Sequence, residues 1–334
     1  MPFSIVPVAG IDVAQLREMA GAERFITHAH NPCMVGILKR TFGWEGSLFI
    51  IKQNDKPAGI ISLMCINGRL VSMPHFSFGG ILTSLANRKA LYSGILPLLN
   101  SYFVDNRTDD ISFLIRDRDK ISDYANDTKV ISWLDLSSRS IEDIIAGTQM
   151  TKADKASVSG LNVVSGGKEL LPDFYLVYSR NMLRLGSPVL PKKLFSNILD
   201  GYVNGDACIF CVYKDNLPIG AAFLLSFLGF FENTWFSTLQ AFNKLYPAQL
   251  LHVEMIRFAL KQGGHTYSFG RSTSGSGVHE FKRRWKTEET TIFWNYDKPL
   301  KLDLRKADFL TRIWRLLPLS VANCLGPVVG KGIY

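Results

Sequence analysis

The segment Ser268–Trp285, SFGRSTSGSGVHEFKRRW, places glycine and hydroxyl residues directly before a cluster of positive charge. Glycine lets the backbone come close to a bound group, and free N–H groups with Lys or Arg side chains suit an anion. It is not a Walker A loop, because Ser276 stands where a lysine would follow Gly275, and Glu280 replaces the third glycine of the dinucleotide fingerprint. Two interpretations follow: a loop that holds a phosphate, or a flexible surface turn before a helix with a solvated basic face.

The length, net charge and cysteine content of the chain restrict the class of protein to which it can belong. Its 334 residues suffice for two domains, and the net charge of +9 indicates an anionic partner such as nucleic acid, a phosphorylated metabolite or a membrane surface. The N-terminus has no basic n-region, no run of 18 uncharged apolar residues occurs, and the five scattered cysteines favour a reducing compartment. Cys208 and Cys211 form a C-x-x-C inside an apolar segment typical of a buried strand, so no metal is expected. These features predict a cytoplasmic protein.

Both halves of the chain show the same sequence of element patterns. In the first half, helical patterns precede three strands joined by turns at Asn54–Pro57 and Asn67-Gly68; a helix over about 89–103 and two further strands follow. In the second half, helices over roughly 169–185 and 192–202 precede a second strand meander. A long helix over 248–263 and the strand TYSFG follow.

This pattern predicts an α+β protein with two tandem α/β domains and a helical C-terminal tail. The predicted ranges are 1–138 for the first domain, 139–298 for the second and 299–334 for the tail.

Three segments identify a family resemblance: Leu171–Phe195, AFNKLYPAQLLHVEMIRFA over 241–259, and YSFGRSTSGSGVHEFKRRW over 267–285. They resemble, in this order and at these distances, the Fem-type (FemAB-related) acyltransferases, and most closely the branch associated with bacterial exopolysaccharide and exosortase gene clusters. The resemblance extends from about Asn31 to Tyr296. It implies two GNAT-like domains and an acyltransferase activity in which donor and acceptor meet in a cleft.

The resemblance also implies site residues. Lys282 would serve the reaction centre, next to the donor phosphate or the oxyanion, although a surface lysine is the simpler alternative. His252 and Glu254 are the candidates for a general base, and they are two positions apart on one helix and so face different directions. The donor-binding loop is predicted to comprise Gly270, Arg271, Ser272, Thr273, Gly275 and Gly277. Ser272 and Thr273 have a second interpretation as caps of the following helix.

The acceptor side is assigned to residues that also have packing or solvated interpretations. Asn181 and Arg184 lie near a helix end that Gly186 terminates, and His75 closes a strand before a glycine pair. The substrate-binding candidates are Asn181, Arg184, Glu232, Asn243 and His75. Glu232 is also a candidate base, as is Glu280.

Three functions compete at this stage. The first is transfer of an acetyl-like acyl group from acyl-CoA to an amino or hydroxyl group of a cell-envelope or exopolysaccharide sugar intermediate. The second is a Fem-type transfer from aminoacyl-tRNA onto a cell-wall precursor, and the third is a non-catalytic scaffold. The branch usually has a strongly basic helix before its second domain, but here Thr151–Gly160 contains only Lys152 and Lys155, which disfavours tRNA. We expect no permanently bound cofactor and no DNA partner.

The C-terminal tail predicts an amphipathic helix. Ala307, Leu310, Trp314 and Leu317 share one face, Arg305, Arg312 and Arg315 the other, and an apolar stretch follows Pro318. One interpretation is a helix packed on the second domain. The other is peripheral contact of residues 304–330 with an anionic membrane at its cytoplasmic face.

Overall fold

The computed structural model describes residues 2–104, 112–146, 148, 154–156, 159–299 and 308–332. The strands are β1 Phe3–Val8, β2 Glu45–Gln53, β3 Lys56–Ile66, β4 Arg69–Ser72, β5 Ser112–Asp117, β6 Asn126–Asp135, β7 Asn162–Gly166, β8 Ala207–Lys214, β9 Leu217–Phe227, β10 Phe230–Thr238, β11 Thr266–Thr273 and β12 Glu288–Tyr296. The α-helices are α1 Val13–Ala20, α2 Cys33–Phe42, α3 Arg88–Val104, α4 Ile141–Ile145, α5 Leu171–Leu185, α6 Lys192–Gly201, α7 Pro247–Lys261, α8 Gly277–Arg283, α9 Asp308–Arg315 and α10 Leu319–Gly330. Short 3-10 helices cover His28–His30, Lys168–Leu170 and Gln240–Leu245. Helices and a mixed sheet confirm the predicted α+β class.

The chain divides into two compact units whose segments alternate along the sequence. The first unit comprises Met1–Ile131, Arg271–Ser276 and Glu289–Lys301, and the second comprises Ser132–Gly270, Gly277–Glu288 and Leu302–Tyr334. β6 and β11 therefore each have residues in both units. The contiguous ranges 1–138, 139–298 and 299–334 stay a prediction.

The first unit is built on strands in the order β1-β2-β3-β4-β5-β12. All neighbouring pairs in this order are antiparallel except β4 and β5, which are parallel. The two predicted hairpin turns are present, and Asn54, Asp55, Asn67 and Gly68 all have positive φ, as tight two-residue hairpins require. Buried apolar side chains of β2 and β3 pack with those of α3 to form the core of this unit.

The second unit has strands in the order β11-β10-β9-β8-β7. β10 and β11 are parallel, and the remaining pairs are antiparallel. α7 packs against the sheet through buried residues that include Leu251, Met255 and Ile256. α5 ends at Leu185, and Gly186 after it has the left-handed φ of 72°, which agrees with the prediction that Gly186 terminates this helix.

Several strands and the C-terminal tail differ from the sequence-based expectation. β1, β7 and β12 were not predicted, and β11 continues through Arg271, Ser272 and Thr273 instead of ending at Gly270. The tail forms two helices, α9 and α10, where one helix followed by an apolar stretch was expected. Arg305 and Ala307 of the predicted tail helix lie outside the described residues, as do residues 151–153 and 157–158 of the predicted basic helix.

No helix in the described ranges is both long enough and apolar enough to cross a membrane.

Candidate functional site

The parallel strands β10 and β11 share a register of only three residue pairs, although both strands continue beyond it. The pairing runs from Phe230 opposite Thr266 to Glu232 opposite Ser268. Glu232 is fully buried, and its Oε2 accepts a hydrogen bond of 3.1 Å from Ser268 Oγ. Ser268 Oγ in turn accepts a hydrogen bond of 3.0 Å from the Gly270 N–H. A buried polar chain therefore marks the place where the register of the two strands ends.

The side chain of Lys282 contacts one of these two strands, β11. Its Nζ donates a hydrogen bond of 2.7 Å to the carbonyl oxygen of Gly270, and only 6 % of the residue is exposed. Its neighbours Arg283 and Arg284 are exposed. Lys282 is therefore not a solvated surface lysine. Its buried ammonium group has lost its hydration and needs a hydrogen-bond acceptor such as the Gly270 carbonyl oxygen.

Gly270 and the glycines that follow it allow the chain to come close to another group. Gly270 and Gly275 both have φ of 73°, a conformation that side chains with a Cβ rarely adopt. A Cβ atom added at Gly275 or Gly277 would meet no atom of the described residues within 4 Å. The turn between β11 and α8 therefore has open space around its backbone.

His252 lies inside an aromatic cluster of the second unit. Its Nδ1 lies 2.8 Å from Tyr267 Oη, and its ring stacks on Phe236 with the centroids 4.7 Å apart. Burial, and secondarily the charge of Lys282, lowers the pKa of His252 well below its ordinary value. The imidazole is therefore neutral at pH 7, and such a weak base removes a proton poorly.

Glu254 occupies a different face of α7 from His252. Its side chain is 31 % exposed and forms an ion pair with Arg257, one turn further along the helix. The two candidate bases therefore face different surroundings, one aromatic and one partly solvated.

Arg271, Ser272 and Thr273 lie at the end of β11, in the first unit. Arg271 donates from Nη1 to the carbonyl oxygen of Phe76 at 2.6 Å, and its guanidinium lies over the Trp294 ring at 5.3 Å from the centroid. Thr273 Oγ1 accepts a hydrogen bond of 2.6 Å from Lys129 Nζ. Ser272 Oγ is buried and has no hydrogen-bond partner among the described residues.

The alternative that Ser272 and Thr273 cap the following helix is wrong. Both residues belong to β11, and α8 begins at Gly277, four positions after Thr273.

His75 lies in the first unit, in a segment that two guanidinium groups hold in place. Its φ is 71°, and its ring stacks on Trp44 at 5.7 Å. Arg116 Nη1 donates to the carbonyl oxygens of Met73 and Phe76 at 3.0 and 3.1 Å, and Arg271 also donates to Phe76. Burial, with smaller contributions from the charges of Arg116 and Arg271, lowers the pKa of His75 to about 3.

Three of the predicted acceptor residues converge on the end of β10. Asn181 Nδ2 donates to Ser237 Oγ at 3.2 Å, and Asn181 Oδ1 accepts from Arg184 Nη2 at 2.9 Å. Asn243 Oδ1 accepts from Thr238 Oγ1 at 3.1 Å. Glu232 lies six residues earlier on the same strand, roughly 20 Å away at about 3.3 Å per residue. The second unit thus holds two separate groups of candidates on β10.

Sequence reasoning missed the hydroxyl partners of these candidates. His252 is hydrogen bonded to Tyr267, Glu232 to Ser268, and Asn181 to Ser237. The only signal was the position of each hydroxyl on a strand next to apolar residues, which does not reveal a partner that is distant in sequence.

In the described ranges, no group of three or more His, Cys, Asp or Glu side chains could hold a metal ion. Burial raises the pKa of the Cys208 thiol to about 11 and that of Cys211 to about 12, which keeps both protonated near neutral pH.

Comparisons with known proteins agree with this architecture. Residues 152–283 match the model of the acetyltransferase (GNAT) domain family. No curated protein sequence matches the chain.

Among solved structures, the chain is similar to FemX, with 12 % identity, coverage of 88 % of this chain and 97 % of that chain, and a TM-score of 0.61. A tandem GNAT protein from the clavulanic acid biosynthesis pathway, solved without AcCoA, has 11 % identity, coverage of 90 % and 100 %, and a TM-score of 0.55. L-PGS from Bacillus licheniformis has 12 % identity, coverage of 85 % and 96 %, and a TM-score of 0.50. At these identities the similarity establishes the fold.

The domain match and the fold confirm the resemblance to FemAB-related, GNAT-like acyltransferases and the two tandem GNAT-like folds. Residues 152–283 therefore form a GNAT acyltransferase domain, and the chain has the fold of FemX and of the tandem GNAT protein.

Proposed function

We propose that the protein transfers an acetyl-like acyl group from acyl-CoA to an amino or hydroxyl group of a cell-envelope or exopolysaccharide sugar intermediate. The observation that carries this proposal is the buried Lys282 ammonium on the Gly270 carbonyl, beside the place where the pairing of β10 and β11 ends. The backbone N–H and C=O groups of β10 and β11 beyond Glu232 and Ser268 are suited to hydrogen bonding with an extended donor chain. The matched GNAT domain includes both strands and all of α8.

The reaction needs positioning and charge stabilisation more than a covalent nucleophile. Attack of the acceptor on the thioester carbonyl forms a tetrahedral oxyanion, and a positioned cation such as Lys282 stabilises it. The C–S bond then breaks, and the departing thiolate takes the proton that the acceptor loses. We assign no separate base, because the lowered pKa makes His252 a weak base and its Nδ1 lies against Tyr267 Oη, and Glu254 is paired with Arg257.

The donor and acceptor sides are assigned by their surroundings. The open backbone at Gly275 and Gly277 suits donor phosphates, and we propose Arg271, Ser272 and Thr273 as further donor contacts. Asn181, Arg184 and Asn243 at the end of β10 offer amide and guanidinium groups to a saccharide. His75 and Glu232 stay weaker acceptor-site proposals.

Aminoacyl-tRNA is the alternative donor, and a binding experiment separates it from acyl-CoA. Thermal unfolding would be followed with acetyl-CoA, a longer acyl-CoA and an aminoacyl-tRNA in turn. A donor at 100 times its Kd adds about 2.7 kcal/mol to the stability of the folded state. We expect that stabilisation with acyl-CoA, at least a tenfold weaker affinity in Lys282→Ala, and wild-type affinity in Arg283→Ala. Stabilisation by aminoacyl-tRNA alone would contradict the acyl-CoA assignment.

The acceptor assignment is tested by activity. Release of free CoA thiol would be measured with amino sugars, neutral sugars and lipid-linked saccharides as acceptors. Acetyl-CoA consumption that no saccharide accelerates would contradict the proposed acceptor class while leaving the acyltransferase activity intact. We propose that the reaction takes place in the cytoplasm, where acyl-CoA is available.

A further inference from the structure

The two C-terminal helices are fixed to the second unit through residues with little or no side chain. A Cβ added at Gly326 of α10 would lie 2.6 Å from Val189 Cγ2 and 2.8 Å from the Val189 backbone nitrogen. Ala322 and Gly330, one turn before and after Gly326, are also buried. In α9, Thr311 lies so close to Gly186 that a Cβ there would be 2.5 Å away. These contacts define the packed side of each helix.

The opposite side of both helices is apolar and exposed. Phe309, Ile313 and Leu316 follow helical spacing along α9 and its end, and Val321, Leu325 and Val328 follow it along α10. We call these six residues the tail face. Leu316 is 84 % exposed and Val328 is 73 % exposed, so these side chains protrude and do not line a groove. Packing on the second unit does not account for them, because the small residues already provide that contact.

The sequence prediction selected a different apolar face for the first helix. It grouped Leu310, Trp314 and Leu317 against the arginines, but Trp314 and Leu317 are half-buried in the structure. Phe309, Ile313 and Leu316 lie beside Arg312 on the exposed side. Of the predicted apolar face, Leu310 is exposed, whereas the half-buried Trp314 and Leu317 fit the interpretation of a helix packed on the second domain.

The charged residues of the two tail helices indicate which kind of partner the tail face binds. Residues 309–332 contain Arg312, Arg315 and Lys331 and no Asp or Glu. Apart from Asp308 at the start of α9, the charged residues of the two helices and their C-terminal end are cationic. Protruding apolar side chains together with cations match the boundary between anionic headgroups and acyl chains, which has no fixed shape to complement. A protein partner would instead need a groove that receives the side chains. We propose that the tail face binds an anionic membrane surface, with Phe309, Ile313, Leu316 and Val328 in the headgroup boundary and Arg312 at the phosphates.

Vesicle flotation of the full-length chain tests the proposal. The wild type is expected to float with phosphatidylglycerol-containing vesicles and to remain largely unbound with phosphatidylcholine alone. Leu316→Glu combined with Val328→Glu should lower partitioning at least tenfold. The matched control is Val203→Glu with Leu217→Glu, which adds the same charge at exposed apolar positions of the same unit and should float like the wild type.

A separate variant tests how much positive charge contributes to the binding of anionic vesicles. Arg312→Gln should lower partitioning to anionic vesicles roughly fivefold, since a cation near such a surface contributes about 1 kcal/mol. Arg315 is left in place, because its Nη2 donates a hydrogen bond of 3.4 Å to the Leu185 carbonyl oxygen. Raising the salt concentration should weaken wild-type binding in the same direction.

A fluorescent probe on Cys324 tests membrane binding without any substitution in the tail face. Cys324 is exposed on α10 beside the tail face, and Cys33→Ser with Cys208→Ser removes the two half-buried thiols. An environment-sensitive probe at Cys324 should shift to the blue on addition of anionic vesicles.

Several results would overturn the proposal. They are absence of wild-type flotation, equal flotation of all variants, an unchanged probe spectrum, and a dimer in solution that Leu316→Glu with Val328→Glu dissociates without any vesicle binding. The last would assign the tail face to a second copy of the chain. None of these outcomes depends on the donor or the acceptor of the acyl transfer.

Discussion

Lys282 is the residue whose surroundings most favour a chemical role. Its ammonium group is buried, touches the Gly270 carbonyl and lies close enough to His252 to lower the pKa of that imidazole. We predict that Lys282→Ala lowers kcat by two orders of magnitude or more, because one oxyanion-stabilising charge is lost. Steady-state kinetics with acetyl-CoA and the best acceptor measure the change.

Arg283→Ala is the matched control for Lys282→Ala. Arg283 is exposed on the same helix and forms an ion pair with the exposed Glu280, and an exposed ion pair contributes little, so its loss should leave kcat within about twofold. If Lys282→Ala also stays within twofold while folding normally, Lys282 has no part in the mechanism.

Arg271 combines a structural contact with a proposed binding role. Its Nη1 holds the Phe76 carbonyl, and its planar group lies over Trp294. We predict that Arg271→Lys raises KM for the donor about tenfold with little change in kcat, since a point charge replaces a planar fork. Ser77→Ala removes only the acceptor for the Arg271 backbone N–H and should leave KM unchanged. Equal KM values in all three proteins would make Arg271 structural only.

At the scale of elements, the docking of α10 depends on Gly326. We predict that Gly326→Ala lowers the free energy of unfolding by about 1–3 kcal/mol, because the new methyl group overlaps the backbone of Val189. Thermal unfolding and the rate of proteolysis within α10 measure the effect. Val328→Ala, at an exposed position of the same helix, should change stability by less than about 0.5 kcal/mol. If the two variants behave alike, α10 is not held by that contact.

Local patterns were sufficient to predict most of the elements but not their partners. The hairpins at Asn54-Asp55 and Asn67-Gly68, and the end of α5 at Gly186, follow from residues that favour positive φ. β1 and β7 escaped prediction because each is a short strand without a buried residue. β11 extends past its glycine because tertiary pairing overrides the local turn signal at Arg271–Thr273.

The candidate site was predictable in its residue types and less so in its geometry. The glycine and lysine pattern identified Lys282 and Gly270, which the structure brings to 2.7 Å. No spacing rule could reveal that Glu232 meets Ser268, 36 residues away, or that Asn181 meets Ser237. Those contacts depend on how the sheet is assembled.

At the scale of the whole molecule, buried histidines make stability depend on pH. Burial lowers the pKa of His28, His30 and His75 to about 3, and the pKa of His252 is also well below its ordinary value. The unfolded chain takes up protons on these side chains near pH 6.5, whereas the folded chain does not. Their contribution to stability is therefore complete above about pH 6.5 and declines as the pH falls toward 3.

We predict that the urea midpoint falls markedly between pH 7 and pH 5, a window above the range in which most carboxyl groups titrate. At 1.36 kcal/mol per pKa unit, each histidine that stays neutral in the fold costs about 2 kcal/mol at pH 5. His28→Leu should flatten this dependence by about a quarter. Three of the four histidines lie in the first unit, so hydrogen exchange on acidification should accelerate there before it does in the second unit. Equal midpoints at pH 7 and pH 5, or faster exchange in the second unit first, would show that these imidazoles do not control the acid sensitivity of the chain.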